Sequence, residues 1–424
     1  MHARWVLGFA VGLLCVGAES VAGSFSFKPY MEAEGTLMVR RTADIDGKTA
    51  TVTGSDAARP KSFTFEWGDG TRSEGLFPAS HAYEDISRNY DVTVTAKHGE
   101  TTETARVRVE FLPGPPMDWS YKRDAVIQIP DKDVTLGTTM PGYEIPEGVS
   151  HLTDEDLHGI PRDTLEYILE IAHRIEMDFC NYNVTPAASD RQVVLKTTMF
   201  PGAMALWYTD PPSFACHPSF FQGDVGFAGL FHEMGHNITL NSPASFRFGG
   251  KTDGPMNTIV SETLATIFSH ATIYQILNAK GHYGLSDDIC RMIRDDSIGS
   301  IILVRDCYRR YIADTSKYAT YNDPETDEDE TFNTFLTVVY VFIDEAEKKA
   351  DYRGPLKRMM RLLHTFCEED RVAFQDKDNE AFRATFMVAG LSYGFETDLR
   401  PRFRALGFPV SDDVYARLMH RVAN

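Results

Sequence analysis

Positive charge is what this 424-residue chain has too little of: 42 Lys and Arg stand against 61 Asp and Glu, a net charge of −19. That balance argues against nucleic acid as a partner, because a nucleic-acid-binding surface needs a basic footprint. Long apolar runs are missing too. Only residues 5–17 form one, shorter than the roughly 20 residues a membrane span requires, so no integral membrane segment is expected in the mature chain. Those residues follow Arg4 and precede two small-x-small sites, Ala18-Glu19-Ser20 and Val21-Ala22-Gly23. The arrangement reads as a signal peptide over 1–23, and a secreted, periplasmic or cell-surface protein is the expectation. Cysteine is scarce: Cys15 falls in the leader, leaving Cys180, Cys216, Cys290, Cys307 and Cys367. An odd set allows at most two internal disulfides, with buried thiols as the alternative, and none is spaced as a zinc-ligand pair.

Histidine is also rare, at 13 residues, so a pattern that uses two of them carries weight. Phe231-His232-Glu233-Met234-Gly235-His236-Asn237 contains H-E-x-x-H. At about 3.6 residues per helical turn, His232 and His236 share a face and can reach one zinc ion, with Glu233 beside the water it would activate. Gly223-Asp224 supplies a helix-start signal, and Val225, Leu230, Phe231, Met234 and Ile238 suit a buried helix. Catalytic zinc usually takes a third protein ligand. A third histidine would need Gly at 239 and His at 242, where this chain has Thr239 and Ser242. A glutamate from a following helix fits instead, and Glu262 in Ser261-Glu262-Thr263-Leu264 is that candidate. The alternative for Glu262 is an ordinary exposed helix carboxylate. The chemistry expected of the set is metal-assisted hydrolysis, with Glu233 as general base and then acid. In many enzymes with a glutamate ligand, an Asp four residues later orients a ligating His; position 266 is Thr, so that role stays open. Tyr321 and Tyr340 are oxyanion-donor candidates, each also readable as a structural tyrosine.

Upstream, 191–196 and 204–208 read as short strands, the second suited to be an edge strand where a peptide could add. Gly202-Ala203-Met204-Ala205 compares with the G-x-M-E-N motif of aminopeptidases, but Ala205 stands where their glutamate holds a free amino terminus. Internal cleavage is therefore preferred. The run 230–237 with 260–268 resembles the gluzincin peptidases that include viral enhancins and secreted mucin-degrading enzymes. The stretch 398–411, ending Leu406-Gly407-Phe408-Pro409-Val410-Ser411, is similar to their W-G-x-P-x-S tail, with Leu406 in place of Trp. The resemblance, over about 150–424, implies His232, His236 and Glu262 as ligands of one Zn2+, Glu233 as acid/base, and protein or mucin-like glycoprotein substrates.

Before that region, Phe63-Thr64-Phe65-Glu66-Trp67-Gly68-Asp69-Gly70-Thr71, Ser80-His81-Ala82-Tyr83 and Tyr90-Asp91-Val92-Thr93-Val94 show strand alternation and a Gly-rich turn. Further strands fit 49–53 and 104–110, and short strands at this density predict a β-sandwich. The segment 30–112 resembles a polycystic-kidney-disease-type (PKD) domain, in which Trp67, Asp69 and His81 hold the fold. Pro113-Gly114-Pro115-Pro116 opens a stiff linker over 113–117. From 118 to 424 the expectation is a metallopeptidase domain. Its small α/β lobe includes a helix over 164–179, and its mainly helical lobe has helices near 331–349, 356–367 and 382–390. The acidic run 327–330, after Asp323 and Glu325, reads as a solvated loop because it lacks the spaced ligands of a calcium site. The fold class is thus α+β and multidomain, an Ig-like β-sandwich followed by a gluzincin-type domain, expected to be monomeric. A zinc endopeptidase is the leading reading, with a zinc aminopeptidase or a non-catalytic adhesion or glycan-binding protein as alternatives.

Overall fold

Alternating apolar residues turn inward along Tyr90–His98, where Tyr90, Val92, Val94 and Ala96 are buried while Asp91 and Lys97 are exposed. This period of two repeats along the N-terminal strands and gives them one shared core. The computed structural model describes residues 31–34, 37–40, 43–52, 54–56, 60–109, 111, 126–222, 225–245, 248, 258–278, 283–319, 328–376 and 378–423. The leader expected at 1–23 and the linker at 113–117 lie outside the described residues. The chain is α+β and divides into two compact units. One holds the described residues up to 111 together with those within Leu277–Ser286, and the other those within Lys122–Ile276 and Asp287–Asn424.

Strands of the first unit form three antiparallel sheets: Met31–Glu34, Leu37–Arg40 and Gly54–Asp56; Thr101–Val109, Tyr90–His98, Phe63–Glu66 and Arg72–Gly75; and Asp44–Asp46, Thr49–Val52 and Ala79–Ala82. Leu37, Val39, Phe65, Trp67, Tyr83 and Val107 meet in a single core. Gly68 has φ +78°, and a Cβ there would stand 2.6 Å from the Asp91 carbonyl oxygen, so only glycine fits. Trp67 donates to Ser73 Oγ at 2.9 Å and stacks on His81, which meets Asp69 at 2.7 Å, while Tyr83 Oη donates to the Trp67 carbonyl at 2.8 Å. Burial pushes the Asp69 carboxyl up, but hydrogen bonds from Thr71 and His81 outweigh it and hold the group at about 2. These side chains are engaged with one another.

In the second unit, a mixed sheet runs in the order Ile127–Gln128, Gln192–Thr197, Ser213–Cys216, Ala203–Leu206, with Val149–Ser150 also pairing to the second of these. Gln192–Thr197 and Ser213–Cys216 are parallel, and Ala203–Leu206 is antiparallel to the latter and ends the order. Helices Arg162–Phe179 and Phe227–Thr239 pack beside this sheet. Beyond it the unit is helical: Thr258–Asn278, Asp287–Ala313, Glu328–Lys349, Arg353–Leu363, Glu368–Gln375, Glu380–Phe395, Arg400–Ala405 and Asp412–Ala423. The helix expected to run to 367 stops at Leu363, because Cys367 already caps the next one, its N–H donating to Asp370 Oδ2 at 3.0 Å. The one expected over 382–390 is longer, starting after Asn379, whose side chain accepts the Phe382 N–H at 3.2 Å. Within the tail at 398–411, Gly407 has φ +79°, Tyr311 donates to the Leu406 carbonyl at 2.7 Å, and Phe408 packs on Phe403 and Tyr318. All five described cysteines are free thiols, so the disulfide alternative falls away. Among the described residues, no helix is long and apolar enough to cross a membrane. The acidic run expected as a loop is in part helical: 328–330 open the helix Glu328–Lys349, where Glu330 pairs with Lys317 at 2.7 Å, and 327 lies outside the described residues.

One buried carboxyl group is poorly matched to its surroundings. Glu176, fully buried in Arg162–Phe179, accepts a single hydrogen bond from Thr272 at 3.3 Å, and its Oε2 has no partner. Burial raises this carboxyl well above the usual range, so the folded chain holds a proton there that the unfolded chain releases. Its stability contribution is therefore present below the unfolded carboxylate pKa and lost as pH rises towards the folded value. Glu176→Gln, which keeps an acceptor for Thr272 and needs no proton, is expected to raise the melting temperature of this unit by a few degrees at pH 7–8. The gain should vanish near pH 4, and a melting series across that range checks both signs.

Candidate metal centre

The Phe227–Thr239 helix buries an apolar stripe, with Phe227, Leu230, Phe231, Met234 and Ile238 each 2% exposed or less, which seats it inside the unit. Its start is held from outside. Asp296, on Asp287–Ala313, accepts the Ala228 N–H at 2.5 Å and so satisfies one of the free donors of the first turn. The start signal read at 223–224 lies outside the described residues. The opposite end is tied to the sheet, because Asn237 Nδ2 donates to Gln192 Oε1 at 3.1 Å and to the Ser213 carbonyl at 3.0 Å.

On this anchored helix, His232 and His236 point the same way, their Nε2 atoms 3.0 Å apart. Glu262, from the first turns of Thr258–Asn278, brings Oε2 to 3.3 Å from His232 Nε2 and 3.2 Å from His236 Nε2. The exposed-carboxylate alternative for Glu262 does not hold. The three side chains are only 11%, 9% and 16% exposed, so the cluster is largely enclosed by protein. Burial alone would push the Glu262 carboxyl up, but the charge of His236, the close approach of both imidazole Nε2 atoms and the charge of His232 hold it at about 2.

Two hydroxyls set the outward faces of the imidazoles. Ser261 Oγ lies 3.0 Å from His236 Nδ1, and Thr266 Oγ1 lies 3.3 Å from His232 Nδ1. Thr266 donates its own proton to the Glu262 carbonyl at 2.8 Å, which leaves its lone pair to accept the His232 Nδ1–H. That tautomer exposes the His232 Nε2 lone pair to the cluster. The partners left open by the sequence are thus Ser261 and Thr266, one residue before and four after Glu262 on the same helix. A search for a carboxylate at 266 overlooks them, because a hydroxyl there looks inert.

The donor set fits a divalent ion. Three electron-rich atoms face one another within 3.3 Å, and Glu262 Oε2, buried there, accepts no properly directed hydrogen bond. A tetrahedral zinc ion bound at about 2.0–2.2 Å would separate such donors by about 3.3 Å. Ser261→Ala and Thr266→Ala are each expected to weaken zinc binding by about 10- to 100-fold, as loss of an orienting partner usually does. Thr266→Asp should tighten it, and competition with a chromogenic chelator measures all three.

Glu233 occupies the same helical turn, 4% exposed and not among the ligating atoms. Burial pushes its carboxyl up to about 7 with help from the Glu262 charge, against the pull of His232 and a hydrogen bond from the Ala205 backbone. Ala205 belongs to Ala203–Leu206, whose second edge pairs with no other strand among the described residues, although its side chains are buried. Of the two oxyanion candidates, Tyr321 lies outside the described residues. Tyr340 stacks on Tyr308 with ring centroids 3.9 Å apart, which gives it a packing role. No family model, curated protein or solved structure matches this chain.

Proposed function

We propose that this chain is a zinc-dependent endopeptidase acting on extracellular proteins, mucin-like glycoproteins among them. The reading rests on one observation above all: His232, His236 and Glu262 converge from two helices with their ligand-type atoms 3.0–3.3 Å apart, beside the buried carboxyl of Glu233. Zinc held by those three residues would supply Lewis acidity and lower the pKa of water towards about 7. Glu233, buried beside the cluster, would take the proton of the attacking water and return it to the leaving amine. Thr266 holds the His232 imidazole in the tautomer that presents Nε2, and Ser261 fixes the orientation of the His236 ring through its Nδ1. The walls around the cluster limit competing water.

Internal cleavage is favoured over N-terminal trimming by Ala205. Its backbone adjoins Glu233, and its methyl side chain offers no carboxylate to an amino terminus. The first unit, with its linked Trp67, Asp69, His81 and Tyr83, supports the reading of a PKD-type β-sandwich that spaces or tethers the enzyme. The deciding experiment incubates the purified chain with mucin-type glycoproteins and their deglycosylated forms, with and without chelator, and maps the fragments. Chelator-sensitive internal cuts are expected. Cleavage restricted to unblocked amino termini would support an aminopeptidase instead, and no cleavage of either substrate form with zinc bound would support a non-catalytic binding protein.

A further inference from the structure

The first unit gathers a second set of metal-type donors, far apart in sequence. His98 closes the Tyr90–His98 strand, Glu103 lies on its hairpin partner Thr101–Val109, and Asp56 ends Gly54–Asp56 in a different sheet. His98 Nε2 lies 3.0 Å from Asp56 Oδ2 and 3.6 Å from Glu103 Oε2, and all three atoms fall within 4.8 Å of one another. The Asp56 side chain is fully buried, and those of His98 and Glu103 are 16% and 20% exposed. The two separations from His98 bracket the value of about 3.3 Å between donors on a tetrahedral zinc ion. Glu103 Oε2 also accepts the Leu37 N–H at 2.9 Å, which fixes the direction of its carboxylate from a neighbouring strand. One imidazolium balances one carboxylate, whereas a divalent ion balances both. The imidazole donor favours a borderline cation such as zinc over calcium or magnesium, which prefer all-oxygen shells.

We propose that Asp56, His98 and Glu103 form a second divalent-metal site, structural in role, with a remaining position open to water. A cation there would clip the 90–109 hairpin to the strand ending at Asp56, joining two sheets that share no backbone ladder among the described residues. The proposal is independent of the catalytic reading. Its test uses the full chain, stripped with chelator, titrated with zinc by calorimetry and assayed for bound metal after desalting. Two equivalents are expected in the wild type, falling to one in His98→Gln and to one in His232→Ala. Glu103→Gln serves as a second, milder variant, with circular dichroism confirming that each is folded. Zinc should also raise the melting temperature of the His232→Ala chain and leave a His232→Ala/His98→Gln chain unmoved. A single equivalent that survives His98→Gln and disappears in His232→Ala overturns the second site while leaving the catalytic centre intact. The reverse pattern overturns the catalytic centre alone, and no bound zinc in the wild type overturns both.

Discussion

Glu233→Gln is expected to keep its zinc and to lose about 10²- to 10⁴-fold in kcat/KM on a peptide or glycoprotein substrate, the range a positioned general base contributes. The substitution is nearly isosteric and touches no ligating atom, because the cluster is made by His232, His236 and Glu262. It removes only the ability to accept and return a proton. The backbone hydrogen bond from Ala205 can still be accepted by the amide oxygen, so the helix should stay seated against Ala203–Leu206. Bound metal by mass spectrometry and initial rates under first-order conditions give the two readouts. A variant that cleaves as fast as the wild type would remove Glu233 from the mechanism. One that loses zinc and activity together would make it a structural residue.

Gly235→Val should cost about 100-fold or more in zinc affinity, and Gly235→Ala about tenfold, if the overpacking energy of about 1–3 kcal/mol is expressed at the cluster. Gly235 lies between the two histidines and against Thr258–Asn278. A Cβ added there would stand 3.1 Å from Ala265 Cα, 3.3 Å from Ala265 O and 3.4 Å from Phe268 Cβ. Two of these contacts are with backbone, which cannot swing aside as a flexible side chain can. Valine must therefore push the two helices apart, and Glu262 rides on the helix that moves. Chelator competition measures the affinity, and far-UV circular dichroism checks that helix content survives. Unchanged affinity in Gly235→Val would show that Glu262 reaches the imidazoles by some other constraint.

Local pattern carried most of what was legible in the sequence. The alternation in Tyr90–His98 and the i, i+4 histidines of the Phe227–Thr239 helix each state their geometry within a few residues. Glu262 was reachable because a second helix pattern follows at a distance a loop can span. Contacts between distant segments were not legible. Asp296 caps the histidine helix from 68 positions away, and Asp56 meets His98 across two sheets. Side chains of unremarkable type were also hidden: Ser261 and Thr266 read as ordinary helix hydroxyls until the imidazoles are set beside them. Glu176 follows the apolar stripe of its helix by one position, and periodicity alone does not predict a carboxyl buried there.

Thr258–Asn278 carries Glu262, both hydroxyls that face the imidazoles, and the Ala265 surface against which Gly235 rests. No fragment holding only the two histidines has the full set of donors, and neither helix alone would retain a metal ion tightly. On the proposed zinc reading, metal capture during refolding would be a clock for the docking of these two segments. It should lag behind the appearance of helical signal and coincide with the closing of the core.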